Sequence, residues 1–143
     1  MLEKAIKIAV DAHRGQVDKG GSPYILHPLR VMLSVNEQAR VAAVLHDVIE
    51  DTELTIDDLH KQGIDEASLE AITSLTKQEG EHSKDEGGYA KFVERIMKNP
   101  LAREIKKADI KDNMNIDRIP NPTEKDYARV EKYKQALSVL NSA

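Results

Sequence analysis

The segment from residue 44 to residue 51 reads Val-Leu-His-Asp-Val-Ile-Glu-Asp, and it constrains this chain more than any other. It places four chemically active side chains, His46, Asp47, Glu50 and Asp51, in an apolar pattern that is typical of a buried helix. Burying such groups without partners costs several kcal/mol. A metal ion is the simplest partner, so this segment predicts a metal site on a central helix.

The rest of the chain has the pattern of an all-α domain. Its 143 residues are enough for one domain with its own core. Apolar residues recur three and four positions apart, and no alternating run of β-branched residues is bounded by turns. We therefore expect a single compact domain over residues 1–143 with about eight helices, and its central helix runs from about Glu37 to Ile49.

Turn and capping residues set the expected ends of the other helices. Gly15 should end a first helix that runs from about Leu2 to Arg14, and Asn99-Pro100 should begin a helix that Pro120 ends. Further helices are predicted over about residues 28–35, 55–62, 66–75, 89–98 and from 123 onward. The last one should bury a stripe made of Tyr127, Val130, Tyr133, Leu137 and Leu140. Residues 77–87 are predicted to form an exposed loop.

The composition excludes several classes of function. There is no cysteine, which removes disulfides, zinc fingers and thiol nucleophiles. No apolar run approaches the ~18 residues of a membrane span. The net charge is −4 and the basic residues are scattered, so no stripe fits a nucleic-acid polymer. We expect a cytoplasmic protein whose partner is a small molecule, rather than a membrane or a nucleic acid.

Two distant side chains complete the predicted metal site. His27 lies at a loop-helix junction and Asp109 lies in apolar surroundings, and together with His46 and Asp47 they would supply two imidazoles and two carboxylates. Nitrogen and oxygen ligands without thiolate suit Mn²⁺, Fe²⁺ or Zn²⁺. Such an ion lowers the pKa of water from ~15.7 toward ~7, so metal-activated water is the predicted nucleophile.

Three polar side chains are candidates for catalysis beside this ion. Glu50 and Asp51 extend the polar surface of the central helix by one turn, where a carboxylate can accept and return a proton. Asn113 follows Asp109 by one turn and would position water or substrate. The competing interpretation is structural, because an isolated buried histidine is more often a hydrogen-bonded core residue than a ligand.

Four motifs in this order resemble the HD-domain phosphohydrolases, in the branch that hydrolyses the alarmone guanosine 3′,5′-bis(diphosphate) and includes small stand-alone hydrolases. The motifs are Ala-His-Arg-Gly-Gln at 12–16 followed by Pro-Tyr-Ile-Leu-His-Pro at 23–28, the segment 45–52, Ser-Leu-Thr-Lys at 74–77, and Lys-Ala-Asp at 107–109 followed by Asn113. The resemblance implies one Mn²⁺ held by His27, His46, Asp47 and Asp109. It also implies removal of the 3′-pyrophosphate, with Glu50, Asp51 and Asn113 in the reaction.

Homo-oligomerisation is a further expectation that the family resemblance implies. Since the chain ends at Ala143, we expect hydrolysis without a synthetase activity.

One position departs from the family pattern. Where the family usually has arginine followed by lysine for nucleotide binding, this chain has Asp18 followed by Lys19. Asp18 would repel a phosphate, whereas Lys19 is retained, and Lys77 is a second candidate for substrate binding. Two alternatives therefore stay open: the same chemistry on a different phosphorylated nucleotide, and a non-catalytic helical module that binds a nucleotide or a partner.

Overall fold

The centre of the fold is a short helix, α3, formed by residues Arg40–Leu45, whose last four residues are completely buried. In the computed structural model, which describes residues 1–142, this helix packs against the three helical elements that precede it and against two later helices. The described residues form helices and no extended strand, which confirms the predicted all-α fold class. The α-helices are α1 (Leu2–Ala12), α2 (Leu26–Ser34), α3, α4 (Val48–Asp51), α5 (Ile56–Lys61), α6 (Glu66–Ser74), α7 (Gly88–Ile96), α8 (Pro100–Asn113) and α9 (Glu124–Leu140). Two 3₁₀ helices cover Glu37–Ala39 and Ile116–Arg118.

The core surrounds α3 because this helix has no polar face to expose. Ala42, Ala43, Val44 and Leu45 are all completely buried. Helices α1, α2, α6 and α8 pack around it, and α7 and α9 pack against α8 on the far side. Small alanines on α3 allow close approach of the neighbouring helices, which sets where side chains from α2 and α8 can meet the end of α3.

The central helix is not continuous, which corrects the predicted span from Glu37 to Ile49. The chain forms a 3₁₀ turn, then α3, then a break at His46 and Asp47, and then α4. At the break the amide of His46 donates to the carbonyl oxygen of Ala43, 3.3 Å away, so the last turn is tightened. The ring nitrogen Nδ1 of His46 lies 2.6 Å from that oxygen and contributes to ending α3.

The predicted caps are present at three helix starts. Thr55 and Asp58 form a capping box on α5, and Thr123 forms one with Asp126 on α9. The side chain of Asn99 accepts a hydrogen bond from the amide of Ala102, with proline at the first position of α8. Local sequence therefore determines these boundaries.

Other predicted boundaries were wrong. Helix α1 ends at Ala12 and not at Arg14, and α2 begins at Leu26, so that His27 belongs to the helix. Pro28 is accommodated there because the first amides of a helix have no intrahelical acceptor. Helix α8 ends at Asn113, well before Pro120, and a separate 3₁₀ helix follows.

The predicted stripe of α9 is only partly buried. Leu140 is completely buried, but Tyr127 is 52% exposed. The predicted loop at 77–87 is also less exposed than expected. Glu81 is buried within it and forms two hydrogen bonds with Arg95, each 2.8 Å long. Within residues 1–142, no helix combines the length and the hydropathy that a membrane crossing requires.

The loop between α1 and α2 approaches the 3₁₀ helix at Ile116–Arg118 closely. An isolated antiparallel bridge joins Val17 to Pro23, and Asp18 Oδ1 accepts hydrogen bonds from the amides of Gly20 and Ser22, each 2.9 Å long. A Cβ atom on Gly20 would lie 2.2 Å from the main-chain oxygen of Arg118. Only glycine therefore permits this approach.

Replacing Gly20 by alanine should destabilise the domain. The new methyl group must displace backbone and not a flexible side chain, and overpacking of this kind costs about 1–3 kcal/mol. The free energy of unfolding measured in urea should fall by that amount. A matched control is Ser22→Ala, because the loop contacts of Ser22 are made by its main chain. Equal stability of the Gly20→Ala variant and the parent chain would contradict the close approach.

Candidate metal centre

Four side chains from three places in the fold converge beside the end of α3. His27 comes from α2, His46 and Asp47 from the helix break, and Asp109 from α8. One ligand atom of each lies within 4.8 Å of those of the other three. The closest pairs are His27 Nε2 to Asp109 Oδ1 at 2.8 Å and His46 Nε2 to Asp47 Oδ2 at 3.0 Å. The structure thus brings together the four residues that the sequence analysis selected as ligands.

The charges in this cluster depend strongly on one another. Burial alone would lower the pKa of the His27 imidazole, but hydrogen bonds to Asp109 and Asp112 raise that pKa above 6.5. The pKa of His46 is likewise raised by Asp47 and Asp109 in spite of burial. Burial would raise the pKa of Asp47, yet the charge of His46 lowers it to about 2. Both aspartates are therefore ionised and can act as ligands at neutral pH.

Further side chains hold these ligands in place from outside the cluster. The hydroxyl group of Tyr24 donates a short hydrogen bond to Oδ2 of Asp47. Lys106 Nζ lies 2.8 Å from Oδ2 of Asp109, and the amide of Asn113 donates to Oδ1 of Asp109 at 3.1 Å. Burial and the charge of Asp47 raise the pKa of Tyr24, so that this phenol stays a donor.

The donor set fits one divalent ion of the middle transition row. Two imidazole nitrogens and two carboxylate oxygens would give an uncharged inner shell, and within residues 1–142 the structure offers no thiolate. Both Nδ1 atoms are already engaged, that of His46 by the carbonyl oxygen of Ala43, and that of His27 by Asp112. Each ring therefore presents Nε2 to the centre of the cluster.

A small cavity of about 150 Å³ opens on the cluster. It is lined by three of the candidate ligands, His46, Asp47 and Asp109, and by Tyr24, Glu50, Leu75, Lys77, Phe92, Lys106 and Asn113. A second cavity of about 230 Å³ is lined by Asp18, Lys19, Gly20, Asn113, Asn115, Arg118, Ile119, Arg129 and Tyr133. Asn113 lines both, so the two cavities meet at this side chain.

The candidate catalytic residues do not all face the small cavity. Glu50 lines it, and Oε1 of Glu50 accepts a hydrogen bond of 3.0 Å from the amide of Lys77. Asn113 contacts Asp109 and faces both cavities. Asp51 is not among the residues that line the cavity, and partial burial together with the charge of Asp47 raises the pKa of its carboxyl group. Glu50 and Asn113 are thus the better placed of the three.

The two candidate substrate-binding lysines lie in different cavities. Lys77 lines the small cavity, and its Nζ is 5.7 Å from the centre of the Phe92 ring. Lys19 lines the larger cavity and forms an ion pair of 3.5 Å with Asp126. Any ligand that contacts both lysines must therefore extend across Asn113.

Three residues around the candidate ligands were not identified from the sequence. Tyr24 donates to Asp47, Asp112 contacts His27 from behind, and Arg30 in turn donates to Asp112. A signal was present in the spacing, because Arg30 follows His27 by three residues and Asp112 follows Asp109 by three, which is one helical turn in both cases. Such spacing is too common to identify a site until the packing of α2 on α8 is known.

An all-α domain that gathers two histidines and two aspartates, with one adjacent His-Asp pair at a helix break, has the architecture of an HD-type domain. No protein-family model matches the chain. Curated relatives do match it. The GTP pyrophosphokinase of Streptomyces coelicolor is 35% identical over 120 residues, which is 79% of this chain and 14% of that protein.

Two further relatives carry names from the same metabolism. The guanosine-3′,5′-bis(diphosphate) 3′-pyrophosphohydrolase of Borreliella burgdorferi is 38% identical over 86 residues, 57% of this chain and 13% of the relative. The bifunctional (p)ppGpp synthase/hydrolase SpoT of Escherichia coli K12 is 34% identical over 122 residues, 79% of this chain and 17% of the relative. The chain thus spans less than a fifth of the length of each of these relatives. This similarity to enzymes of guanosine bis(diphosphate) metabolism confirms the family resemblance seen in the motifs.

The metal-free protein should lose stability as the pH rises above neutrality. His27 and His46 have raised pKa values in the folded state, so their contribution is fully present below the unfolded value of 6.5 and is lost as the pH rises through the folded values. The contributions of Asp47 and Asp109, whose pKa values are lowered, are constant in this range. Thermal unfolding with a chelator between pH 6 and about 9 should show Tm falling.

Added Mn²⁺ should reverse this trend, because the ion competes with protons for both imidazoles and its stabilisation grows with pH. The exposed His60 lies outside the cluster, so His60→Gln is a control that should keep the parent profile. A metal-free Tm that is constant or rises over this range would contradict the charge assignment.

Proposed function

We propose that this domain is a Mn²⁺-dependent phosphohydrolase that removes the 3′-pyrophosphate from guanosine 3′,5′-bis(diphosphate). The observation that carries the proposal is the cluster of His27, His46, Asp47 and Asp109. All of its members except His27 line a cavity that Glu50 and two lysines also line. The names of the relatives support the substrate. The proposed partner is accordingly a small nucleotide.

The metal ion would act as a Lewis acid, polarising a phosphate oxygen and making water more acidic. The side chains that hold it are kept in place before it binds, since Tyr24 and Lys106 fix the carboxylates of Asp47 and Asp109. Preorganisation of this kind lowers the cost of adopting the binding geometry.

Glu50 is the proposed proton carrier. It lines the small cavity together with the ligands, and the amide of Lys77 fixes one of its oxygens at 3.0 Å. The carboxylate would accept a proton from the attacking water and return it to the departing 3′-oxygen of the nucleotide. Asn113 cannot titrate, and its position between the cavities suits it for orienting the phosphate that is attacked.

Two lysines line the small cavity, and they support an anionic substrate once a divalent ion offsets the carboxylates in the same lining. Lys106 is 5.3 Å and Lys77 is 5.7 Å from the centre of the Phe92 ring, and both line the cavity. Burial, followed by the charges of Lys77, Lys106 and Arg129, lowers the pKa of Lys132. Several cations thus repel one another beside the cluster, and a pyrophosphate group would relieve this repulsion.

A different phosphorylated nucleotide is the second candidate substrate, and Asp18 favours it. Asp18 lines the larger cavity, where the family usually has an arginine. Its Oδ1 atom is engaged by two backbone amides, so the residue maintains the loop and does not bind phosphate. The larger cavity would then select a nucleoside that differs from the one recognised by the relatives.

A non-catalytic binding module is the third alternative. A purely structural ion needs no carboxylate in the lining of the small cavity. It also needs no side-chain amide that lines both the small and the larger cavity. Glu50 and Asn113 occupy these two places, and they favour catalysis over the structural alternative.

Two substitutions should separate metal binding from proton transfer. Asp109→Ala should abolish both turnover and uptake of Mn²⁺, because it removes a ligand and leaves the buried Lys106 unpaired. Glu50→Ala should keep the metal and lower kcat by about 10²–10⁴-fold. Metal content of the purified variants and steady-state rates provide the measurements.

Glu53→Ala is the matched control, because Glu53 is exposed and lies outside both cavities. It should retain the metal and the rate. Loss of metal from the Glu50 variant would assign this residue to the ligand set, and turnover by metal-free parent protein would refute the metal-dependent reaction.

A panel of nucleotides with added Mn²⁺ should identify the substrate. Guanosine 3′,5′-bis(diphosphate) should yield pyrophosphate and guanosine 5′-diphosphate, and GTP, GDP and ATP should remain intact. Product identification by ion-exchange chromatography is decisive. Release of orthophosphate would mean that the enzyme cleaves a bond other than the one between the 3′-oxygen and the pyrophosphate group. Hydrolysis of another nucleotide with the alarmone untouched would establish the second candidate, and the absence of turnover and of nucleotide binding would reject both.

A further inference from the structure

We propose that Asp112 is a positioning residue that fixes the ring orientation and the tautomer of the metal ligand His27. This inference rests on the metal site of the proposed function. The Oδ2 atom of Asp112 lies 2.6 Å from Nδ1 of His27, whereas Nε2 of the same ring lies 2.8 Å from Asp109 Oδ1. Asp112 therefore contacts the imidazole on the side that faces away from the ligand cluster.

A carboxylate behind the ring determines which nitrogen is available to the ion. A neutral imidazole carries hydrogen on one nitrogen only, and an ionised carboxylate can only accept a hydrogen bond. Nε2 of His27 also faces a carboxylate, that of Asp109, but an ion in the cluster would take the lone pair of Nε2. Nδ1 must then carry the hydrogen, and Asp112 is placed to accept it. His46 is oriented in the same way, but its partner is the uncharged carbonyl oxygen of Ala43. His27 is thus the histidine whose basicity as a ligand is increased by a charged neighbour.

The carboxylate is itself held from two directions. Arg30 donates from Nε to Oδ1 at 2.7 Å and from Nη2 to Oδ2 at 3.0 Å, which fixes the plane of the Asp112 carboxylate. Arg118 donates from Nη2 to the main-chain oxygen of Asp112 at 2.7 Å, and the same atom lies 3.3 Å from Oδ2. The side chain of Asp112 is only 12% exposed, so these bonds are shielded from water.

Helical spacing makes this arrangement possible. His27 and Arg30 are one turn apart on α2, and Asp109 and Asp112 are one turn apart on α8. Because α2 packs directly on α8, the two pairs face each other, with one contact inside the ligand cluster and one behind it. The single pair of helices therefore supplies both a ligand contact and its support.

An ordinary buried ion pair elsewhere in the chain provides a matched comparison. Glu81 and Arg95 form two hydrogen bonds of 2.8 Å, and neither residue contacts a histidine of the cluster. If Asp112 only joined α2 to α8, removing its carboxylate would have the same consequence as removing that of Glu81. Stability would fall in both cases and metal binding would not respond.

Titration of the whole chain with MnCl₂ by calorimetry tests the proposal. Asp112→Ala should weaken Mn²⁺ binding by about 10- to 100-fold while one ion per chain is still bound. Asp112→Asn keeps the shape but removes the charge, and it should show a smaller loss in the same direction. Glu81→Ala should lower Tm and leave the affinity for Mn²⁺ at the parent value. Parent affinity in both Asp112 variants would overturn the proposal.

A second measurement does not depend on metal uptake. Nitrogen-15 NMR of the metal-free protein at alkaline pH should show a larger share of the His27 tautomer with hydrogen on Nδ1 in the parent chain than in Asp112→Ala. If that variant does not fold, Asp112→Asn takes its place. Unchanged His27 signals in the folded variants would overturn the proposal. Failure of the parent chain to bind Mn²⁺ would instead refute the proposed function, and the tautomer measurement would still decide the role of Asp112.

Discussion

The structure depends on keeping two carboxylates ionised side by side in a nearly dry environment. Asp47 and Asp109 both approach the imidazoles of His27 and His46, and like charges at such distances repel strongly when water is excluded. The two imidazoles and the ammonium group of Lys106 offset that repulsion. A divalent ion would replace the imidazole protons and take over the same role, so the cluster is balanced both with protons and with a metal.

The break between α3 and α4 is what allows adjacent residues to share this site. In a regular helix neighbouring side chains point about 100° apart, and His46 and Asp47 would diverge. The tightened turn at His46 and the φ of −102° with ψ of −5° at Asp47 bring His46 Nε2 within 3.0 Å of Asp47 Oδ2. The last four residues of α3 are completely buried and His46 is nearly so, which places the break inside the fold.

Patterns that act locally could be predicted from the sequence, and contacts between distant elements could not. The capping pairs Thr55-Asp58 and Thr123-Asp126 work over three residues, and they were correctly identified. The four ligands were selected because polar groups in apolar runs are conspicuous. Asp112 was not conspicuous, since its role follows only from the packing of α2 on α8. Tyr127 was misplaced for a related reason, because periodicity shows which face of α9 is apolar but not where its partner helix ends.

The distribution of charge between the cavities bears on how the proposed substrate would lie. In the larger cavity the cations are already paired, Lys19 and Arg129 with Asp126 and Arg118 with Asp112. In the small cavity Lys77 forms no ion pair with any described residue. Once a divalent ion offsets the carboxylates of Asp47 and Asp109, Lys77 would be an unpaired cation available to attract the phosphate groups of the proposed substrate. The larger cavity, with its compensated charges and the ring of Tyr133, suits the less charged nucleoside end of the molecule. Electrostatics would then orient the reacting group. The shape of the loop that Asp18 maintains would select the base of the nucleotide.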